Sequence, residues 1–227
     1  MATQFNQTVN DFFAKYTKLT YKKGEIIIRA GDSPSGILFL KKGFVRMSFV
    51  AQNGDMLVLH VFKANSYFPM SWALNEFPNR YYFEALTPVE VWRAPKEDVQ
   101  KFVHAHPEVV EHFLERYMRG VGGVLQRMEY LVFEPAYKKT ILLILYYAKN
   151  FSDGEGKPKL TIPLTHKEIA AWIGTTRETA SLQIETLKKK KLIEYRKRYI
   201  VIPDLHELEK ELTELPLGIN KLLCFFR

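Results

Sequence analysis

Along the first hundred residues the apolar positions come in short bursts cut by glycine, asparagine and aspartate. Ile26-Ile27-Ile28 stops at Ala30-Gly31-Asp32, and Ile37-Leu38-Phe39-Leu40 stops at Lys41-Lys42-Gly43. Phe44–Val50 alternates in part and then meets Asn53-Gly54, a pair that favours a hairpin because both residues tolerate positive φ. Leu57–Phe62 supplies the return strand, and Tyr81–Phe83 and Val89–Trp92 carry the pattern to Pro95. Short strands at this spacing, joined by glycine turns, predict an antiparallel barrel or jelly roll.

After Pro95 the period lengthens. Lys96–Ala105 predicts a short helix, and Pro107 suits the first turn of a longer one, where an amide proton is not needed. Val109, Phe113, Tyr117, Val121, Val124, Met128 and Val132 recur every three or four residues, which predicts a helix of about 25 residues. Gly120, Gly122 and Gly123 weaken it but allow a second helix to approach closely. Two fates are open to this seam: dimerisation through Phe113, Tyr117, Val121, Val124 and Met128, or burial against the chain's own barrel. Its length favours the dimer.

Beyond Glu134-Pro135, helices are predicted over Lys138–Asn150, Thr165–Ile173 and about Thr176–Lys190. Ser152–Lys159 reads as a loop and Leu160–Pro163 as a short extended piece; strands over Leu192–Tyr195 and Tyr199–Ile202 follow the helices. Helix, helix, turn, helix and hairpin is the order of a winged helix-turn-helix. The expected class is therefore α+β: an N-terminal β-roll (jelly roll) over 1–106, a long dimerisation helix over 107–134, and a winged helix-turn-helix with a tail over 135–227.

Composition narrows the function. The 227 residues are 47% hydrophobic, enough for two packed domains. A single cysteine, Cys224, excludes a disulfide framework, a cysteine-rich zinc site and a cysteine-ligated iron–sulfur cluster within one subunit. The longest apolar run, Ile141–Ala148, falls far short of the ~20 residues of a membrane span. MATQFNQTVNDFF also lacks the basic and apolar regions of a signal peptide, so a cytoplasmic protein that avoids membranes is expected. No Ser-His-Asp set, P-loop or dinucleotide-binding glycine motif recommends an enzyme. His104, His106 and His112 are read as surface histidines near a helix start, and no metal or cofactor is expected.

The net charge is +8 and sits unevenly: Tyr137–Arg227 carries 17 basic and 11 acidic residues, against 16 and 14 in Met1–Ala136. Within Lys188–Arg198 seven basic residues face Glu194 alone. Such a cluster suits a polyanion, because Lys and Arg near phosphates release counterions, but lysines also suit a helix C-terminus.

The stretch PLTHKEIAAWIGTTRETASLQIETLKKKKLI decides between them. Thr165 and Glu168 form a capping-box pair, Gly174 suits a left-handed C-cap, and Thr175 or Thr176 caps the next helix. Arg177 and Glu178 then lie in its first turn, where a helix entering the major groove meets base edges. Arg can pair with guanine O6 and N7, and Glu accepts from cytosine N4. Ser181 is a further base-contact candidate. Thr175, Thr176, Thr179 and Lys167 are phosphate candidates, with Arg196, Lys197 and Arg198 on the wing. The plainer reading leaves Arg177 and Glu178 as ordinary solvent-facing residues; the caps, spacing and basic hairpin together favour double-stranded DNA.

These motifs resemble those of the cyclic-AMP receptor / fumarate-nitrate regulator superfamily of bacterial transcription regulators. YKKGEIIIRAGDSPSGILFLKKGFVRM is similar to its cyclic-nucleotide-binding β-roll, with glycines 24, 31 and 43 at turns, and GTTRETAS to the start of its recognition helix. The resemblance covers about residues 20–203. It implies a homodimer reading a palindromic operator, base contacts at Arg177 and Glu178, and RNA polymerase as a possible partner. Leu182 stands where the family often has a second base-contacting Arg; it can be partly buried or touch a thymine methyl.

The resemblance also defines a departure. Cyclic-nucleotide-binding members carry Gly-Glu and then Arg-Ser or Arg-Thr; here Pro69-Met70 stands in the first place and Asn79 or Arg80, then Tyr81, in the second. Cyclic AMP is therefore not the expected ligand. Phe68, Met70, Trp72, Arg80 and Tyr82 are candidates for lining a pocket for an unknown small-molecule effector. A ligand-free structural barrel and a protein-interaction adaptor remain alternatives.

Overall fold

The computed structural model describes residues 2–75, 77–153 and 158–212. The chain forms two compact units, Met1–Glu115 and Arg116–Arg227. In the first, helix α1 (Ala2–Phe13) precedes strands β1 (Thr17–Tyr21), β2 (Ile26–Ile28), β3 (Ile37–Lys42), β4 (Val45–Val50), β5 (Met56–Phe62) and β6 (Tyr67–Phe68). Helix α2 (Met70–Asn75), strands β7 (Tyr82–Ala85) and β8 (Val89–Ala94), helix α3 (Lys96–Ala105) and the start of α4 (Pro107–Phe133) complete it. The strands build two antiparallel sheets, in the orders β1-β8-β3-β6 and β2-β7-β4-β5.

The unbroken run Ile37-Leu38-Phe39-Leu40 has a physical reason: both faces of its strand are covered. Leu38 and Leu40 join Ile28, Val45, Phe68, Phe83, Ala85, Val89 and Val91 between the two sheets. Ile37 and Phe39 point the other way, into a second core with Val9 and Phe13 of α1, Ala73 of α2, Val99 of α3 and Val109 of α4. Phe13 stacks on Phe39 at 5.1 Å between centroids, and Phe12 on Phe102 at 4.1 Å. Helix α1, strand β1 and helix α2 are additions that the residue pattern does not announce. The Asn53-Gly54 hairpin forms as expected, with Ala51 N–H donating to the Asp55 carbonyl and Asp55 N–H to Asn53 Oδ1.

The second unit contains the rest of α4, then α5 (Ala136–Asn150), β9 (Ser152–Asp153), β10 (Lys159–Leu160), α6 (His166–Ile173) and α7 (Arg177–Lys189). Strands β11 (Glu194–Arg196) and β12 (Tyr199–Val201) and helix α8 (Leu205–Lys210) follow. Its sheet runs β11-β12-β10-β9, so β9 falls within the expected loop and pairs with β10. Helix α5 is buried from Thr140 to Ala148, which explains its dense apolar composition. The expected three-part division differs from this one, because α4 is not a separate layer: Val109 packs in the core of the first unit, and Arg127 and Tyr130 are buried in the second. The tail from residue 213, including Cys224, lies outside the described residues.

One turn constrains the barrel sharply. Gly43 has φ +90°, and a Cβ there would lie 2.3 Å from the Pro88 carbonyl oxygen and 2.9 Å from Thr87 Oγ1. Gly43→Ala combines backbone strain with a clash against backbone, so a loss of about 2–3 kcal/mol is expected in denaturant melts. An unchanged midpoint would show that the β3–β4 turn can re-form around a side chain.

Candidate nucleic-acid interface

Helices α6 and α7 are aimed by their caps. Thr165 Oγ1 accepts from Glu168 N–H while Glu168 Oε2 accepts from Thr165 N–H, the expected capping box. Gly174 ends α6 in the left-handed region (φ 63°, ψ 49°), as its place after Ile173 predicts. Thr176, rather than Thr175, then caps α7: its Oγ1 accepts from Thr179 N–H at 3.1 Å. Ala170 is buried beside Ile169 and Ile173 on α6, and Ala180, Ile184 and Leu187 are the buried stripe of α7.

That stripe decides what α7 offers to solvent. Arg177 and Glu178 are exposed in its first turn, and among the described residues neither side chain makes a hydrogen bond or ion pair. Ser181 is half-buried. Leu182, for which two fates were open, is 64% exposed. The far end of the helix is more self-contained: Lys188 pairs with Glu185 at 2.9 Å, and Lys190 with Glu211 at 2.7 Å, where Tyr137 Oη also donates to Glu211. The Lys190 ammonium holds the Glu211 carboxyl below its ordinary range, chiefly through that hydrogen bond.

Of the phosphate candidates, Thr176 and Thr179 share a hydroxyl–hydroxyl hydrogen bond of 3.1 Å, and Thr175 is half-buried with its N–H on the Ala170 carbonyl. Lys167 is exposed, near the start of α6. Arg196, Lys197 and Arg198 form the tip of the β11–β12 hairpin, Lys197 with φ +60°, and all three are exposed. Tyr199, between the cations of Lys159 (4.9 Å) and Arg198 (5.5 Å), orders that tip.

A residue outside every sequence motif holds the assembly from behind. Arg127 of α4 is 7% exposed; its Nη2 donates to the Trp172 carbonyl at 2.6 Å and its guanidinium lies 4.4 Å from the Trp172 ring centroid. Trp172 Nε1 in turn donates to Tyr147 Oη at 2.9 Å. Desolvation lowers the Arg127 pKa, opposed by the phenols of Tyr130, Tyr146 and Tyr147. Its only signal in the sequence is an arginine on the same helix as a long apolar seam.

The expected effector residues do not converge. Phe68 is core, stacked on Phe83 and on Phe62, each at 5.0 Å. Met70 and Trp72 pack on the opposite side of the β1-β8-β3-β6 sheet, with the second core, and Lys96 lies over the Trp72 ring. Arg80 is exposed, 5.9 Å from the Phe49 ring, and Tyr82 is half-buried on β7. Asn79 is buried instead, its Nδ2 donating to the Arg29 and Tyr81 carbonyls. On the seam of α4, Phe113 turns inward and stacks on Tyr67 at 5.6 Å, whereas Tyr117, Val124 and Met128 are exposed and Val121 is half-buried. His104 and His106 donate through Nδ1 to the carbonyls of Gln100 and Phe102. Among the described residues no cluster of three potential metal ligands occurs, and no helix is long and apolar enough to cross a membrane.

A sheeted N-terminal unit, a long helix and a capped helix-turn-helix with a basic wing define a DNA-binding regulator, and the comparisons with known proteins agree. Residues 18–106 match the cyclic nucleotide-binding domain family, and residues 140–211 match the Crp-like helix-turn-helix domain family. The chain belongs to the Crp/Fnr family of transcription regulators. It is 26% identical over 223 residues to the global nitrogen regulator of Nostoc sp. (strain PCC 7120), covering 94% of this chain and 96% of that one. It is 22% identical over 203 residues to the cAMP-activated global transcriptional regulator CRP of Haemophilus influenzae, covering 88% and 90%. A solved CRP/FNR-family transcriptional regulator from Thermus thermophilus superposes with a TM-score of 0.68 at 25% identity, covering 88% of this chain and 99% of that one. These relatives are regulators, not enzymes.

The wing carries a titratable handle. Tyr195 of β11 is half-buried; among the described residues its Oη has no hydrogen-bonding partner, and desolvation, with a smaller contribution from Glu185, pushes its pKa up to about 12. Because the folded pKa lies above the ordinary value of 10, this stability is fully present below pH 10 and is lost as pH rises through about 12. Tyr195→Phe should match or exceed the wild type in stability near neutrality. It should also fall less between pH 10 and 12, by about 1 kcal/mol after solvent screening of a partly exposed ring. Identical alkaline melts for both proteins would contradict this burial.

Proposed function

We propose that the chain is a cytoplasmic, homodimeric regulator that reads a palindromic operator with the first turn of α7. The carrying observation is the exposure of Arg177 and Glu178, with unengaged side chains, on a helix whose other face is anchored by Ala180, Ile184 and Leu187. A guanidinium beside a carboxylate suits a guanine beside a cytosine edge. Thr175, Thr176, Thr179 and Lys167 would meet phosphates, together with the Arg196–Arg198 wing.

Dimerisation is supported by the apolar surface of α4. Tyr117 and Met118 are each 59% exposed, and Val124, Leu125, Met128 and Val132 are exposed with them. A monomer rarely leaves such a patch to water. The 117, 121, 124, 128 spacing is that of a helix pair, and a Cβ at Gly120 would meet nothing within 4 Å, leaving room for a facing helix. Two-fold symmetry then calls for half-sites about one helical turn apart.

The barrel is proposed to be indifferent to cyclic AMP. The amide of Asn79 is spent on backbone carbonyls, Met70 offers no carboxylate, and the Phe62–Phe68–Phe83 stack occupies the interior between the sheets. The same stack favours a second reading, a barrel that holds no small molecule and serves as structure. Any effector acts only as far as it binds the DNA-competent state better than the other.

Selection from random duplexes should enrich a palindrome, and Arg177→Ala should lose about 1–3 kcal/mol at one base pair per half-site while relaxing preference there. Uniform weakening over all sequences would make Arg177 a phosphate contact; no enrichment at all would favour the adaptor reading. Val124→Glu with Met128→Glu should give a monomer in sedimentation velocity, whereas a persistent dimer would move the interface elsewhere. Cyclic AMP should leave the melting temperature unchanged, and a saturable rise would overturn the proposal for the barrel.

A further inference from the structure

The recognition helix bears one side chain that its polar face does not explain. At about 100° per residue, the buried stripe of Ala180, Ile184 and Leu187 faces one way and Leu182 projects almost opposite. Its neighbours on that outer face, Glu178 and Glu185, are both charged and exposed. Leu182 is therefore an isobutyl group 64% exposed on a polar face, between Glu178 and a Glu185 that pairs with Lys188, on the side of α7 opposite the core that could have collected it. Its backbone is ordinary helix, with Thr186 Oγ1 donating to its carbonyl at 2.9 Å, so no distortion of the helix accounts for its outward direction.

Resting on the reading that α7 enters the major groove, we propose that Leu182 is a specificity-determining residue that reads the 5-methyl group of a thymine. Leucine has no donor or acceptor, so it cannot pair with N7, O6, N6, O4 or N4. The one apolar feature among the four base edges in the major groove is the thymine methyl. Leu182 lies one turn after Glu178, so the thymine belongs in the same half-site as the bases met by Arg177 and Glu178, on their C-terminal side along the helix.

The test uses the full chain and duplexes taken from random selection. Each invariant thymine of the selected palindrome is replaced in both half-sites by deoxyuridine, which removes the methyl and leaves the pairing intact. For one thymine the wild type should lose about fourfold per half-site, the worth of one buried methyl, and so roughly tenfold to twentyfold for the symmetric site. Leu182→Ala, at a solvent-exposed position that leaves the core untouched, should bind the thymine and uracil duplexes alike. Its preference at the bases read by Arg177 should be unchanged. Leu182→Arg should move preference at that position to guanine. Equal affinity of the wild type for thymine and uracil at every position would overturn the proposal, as would a Leu182→Ala protein that keeps the full discrimination. Either result leaves operator binding intact; failure to enrich any duplex would instead sink the groove reading, and this inference with it.

Discussion

A recognition helix is only as well directed as the turn that precedes it, and here that turn is fastened from behind by a buried guanidinium. Arg127 donates to the carbonyl of Trp172, two residues before the left-handed Gly174, and lies against the Trp172 ring. Burying a cation costs several kcal/mol unless its surroundings compensate. The compensation here is a carbonyl, an indole face and the phenols of Tyr130, Tyr146 and Tyr147, so the site is specific to a planar, multi-donor cation. A lysine has neither the fork nor the stacking surface. The link ties α4, the helix proposed to carry the dimer seam, to the last turn of α6, and hence to the direction in which α7 leaves.

From that anchor the aim of α7 follows by short-range chemistry. Gly174 turns the chain, Thr176 accepts from the Thr179 amide in the first turn of α7, and the small Ala170 and Ala180 are both buried beside larger aliphatic neighbours. Each cap contributes about 1 kcal/mol, modest in stability but large in angle, because a helix whose first turn frays presents no fixed pair of side chains. The proposed base readers occupy that first turn. Their usefulness depends on rigidity supplied mostly by groups that would touch no DNA, Thr176 being proposed to do both.

This division explains what is legible in the residue order. The capping box, the Gly174 turn and the Asn53-Gly54 hairpin are local: each is decided within a few residues, so the pattern predicts them directly. Long-range partners are different. Helix α1 escapes the pattern because Val9 and Phe13 acquire meaning only against Phe39, and Arg127 escapes it because nothing near it in sequence announces Trp172. Phe113 lies on the correct helical period for the seam yet turns to Tyr67; a periodic stripe shows that a face is apolar, not which surface covers it. The effector residues fail to converge for a related reason. Phe68 ends β6 facing the core between the sheets, and two residues on the chain has turned into α2, where Met70 packs with the other core.

The most basic stretch of the chain also changes meaning once its partners are visible. Lys188 and Lys190 are engaged by Glu185 and Glu211, and with Lys189 they sit at the C-terminal end of α7, where cations oppose the negative end of the helix dipole. Exposed pairs of this kind are worth little in stability, but they partly neutralise the charge that counting from the sequence assigns to a polyanion. Of the cations proposed to meet phosphates, Arg196 to Arg198 are exposed on the wing tip and Lys167 is exposed near the start of α6. Charge at two separated places orients a helix between them, whereas one concentrated at its end would only hold it. On the proposed reading, electrostatics would position α7, and the identity of the sequence read would be left to the few side chains on its outer face.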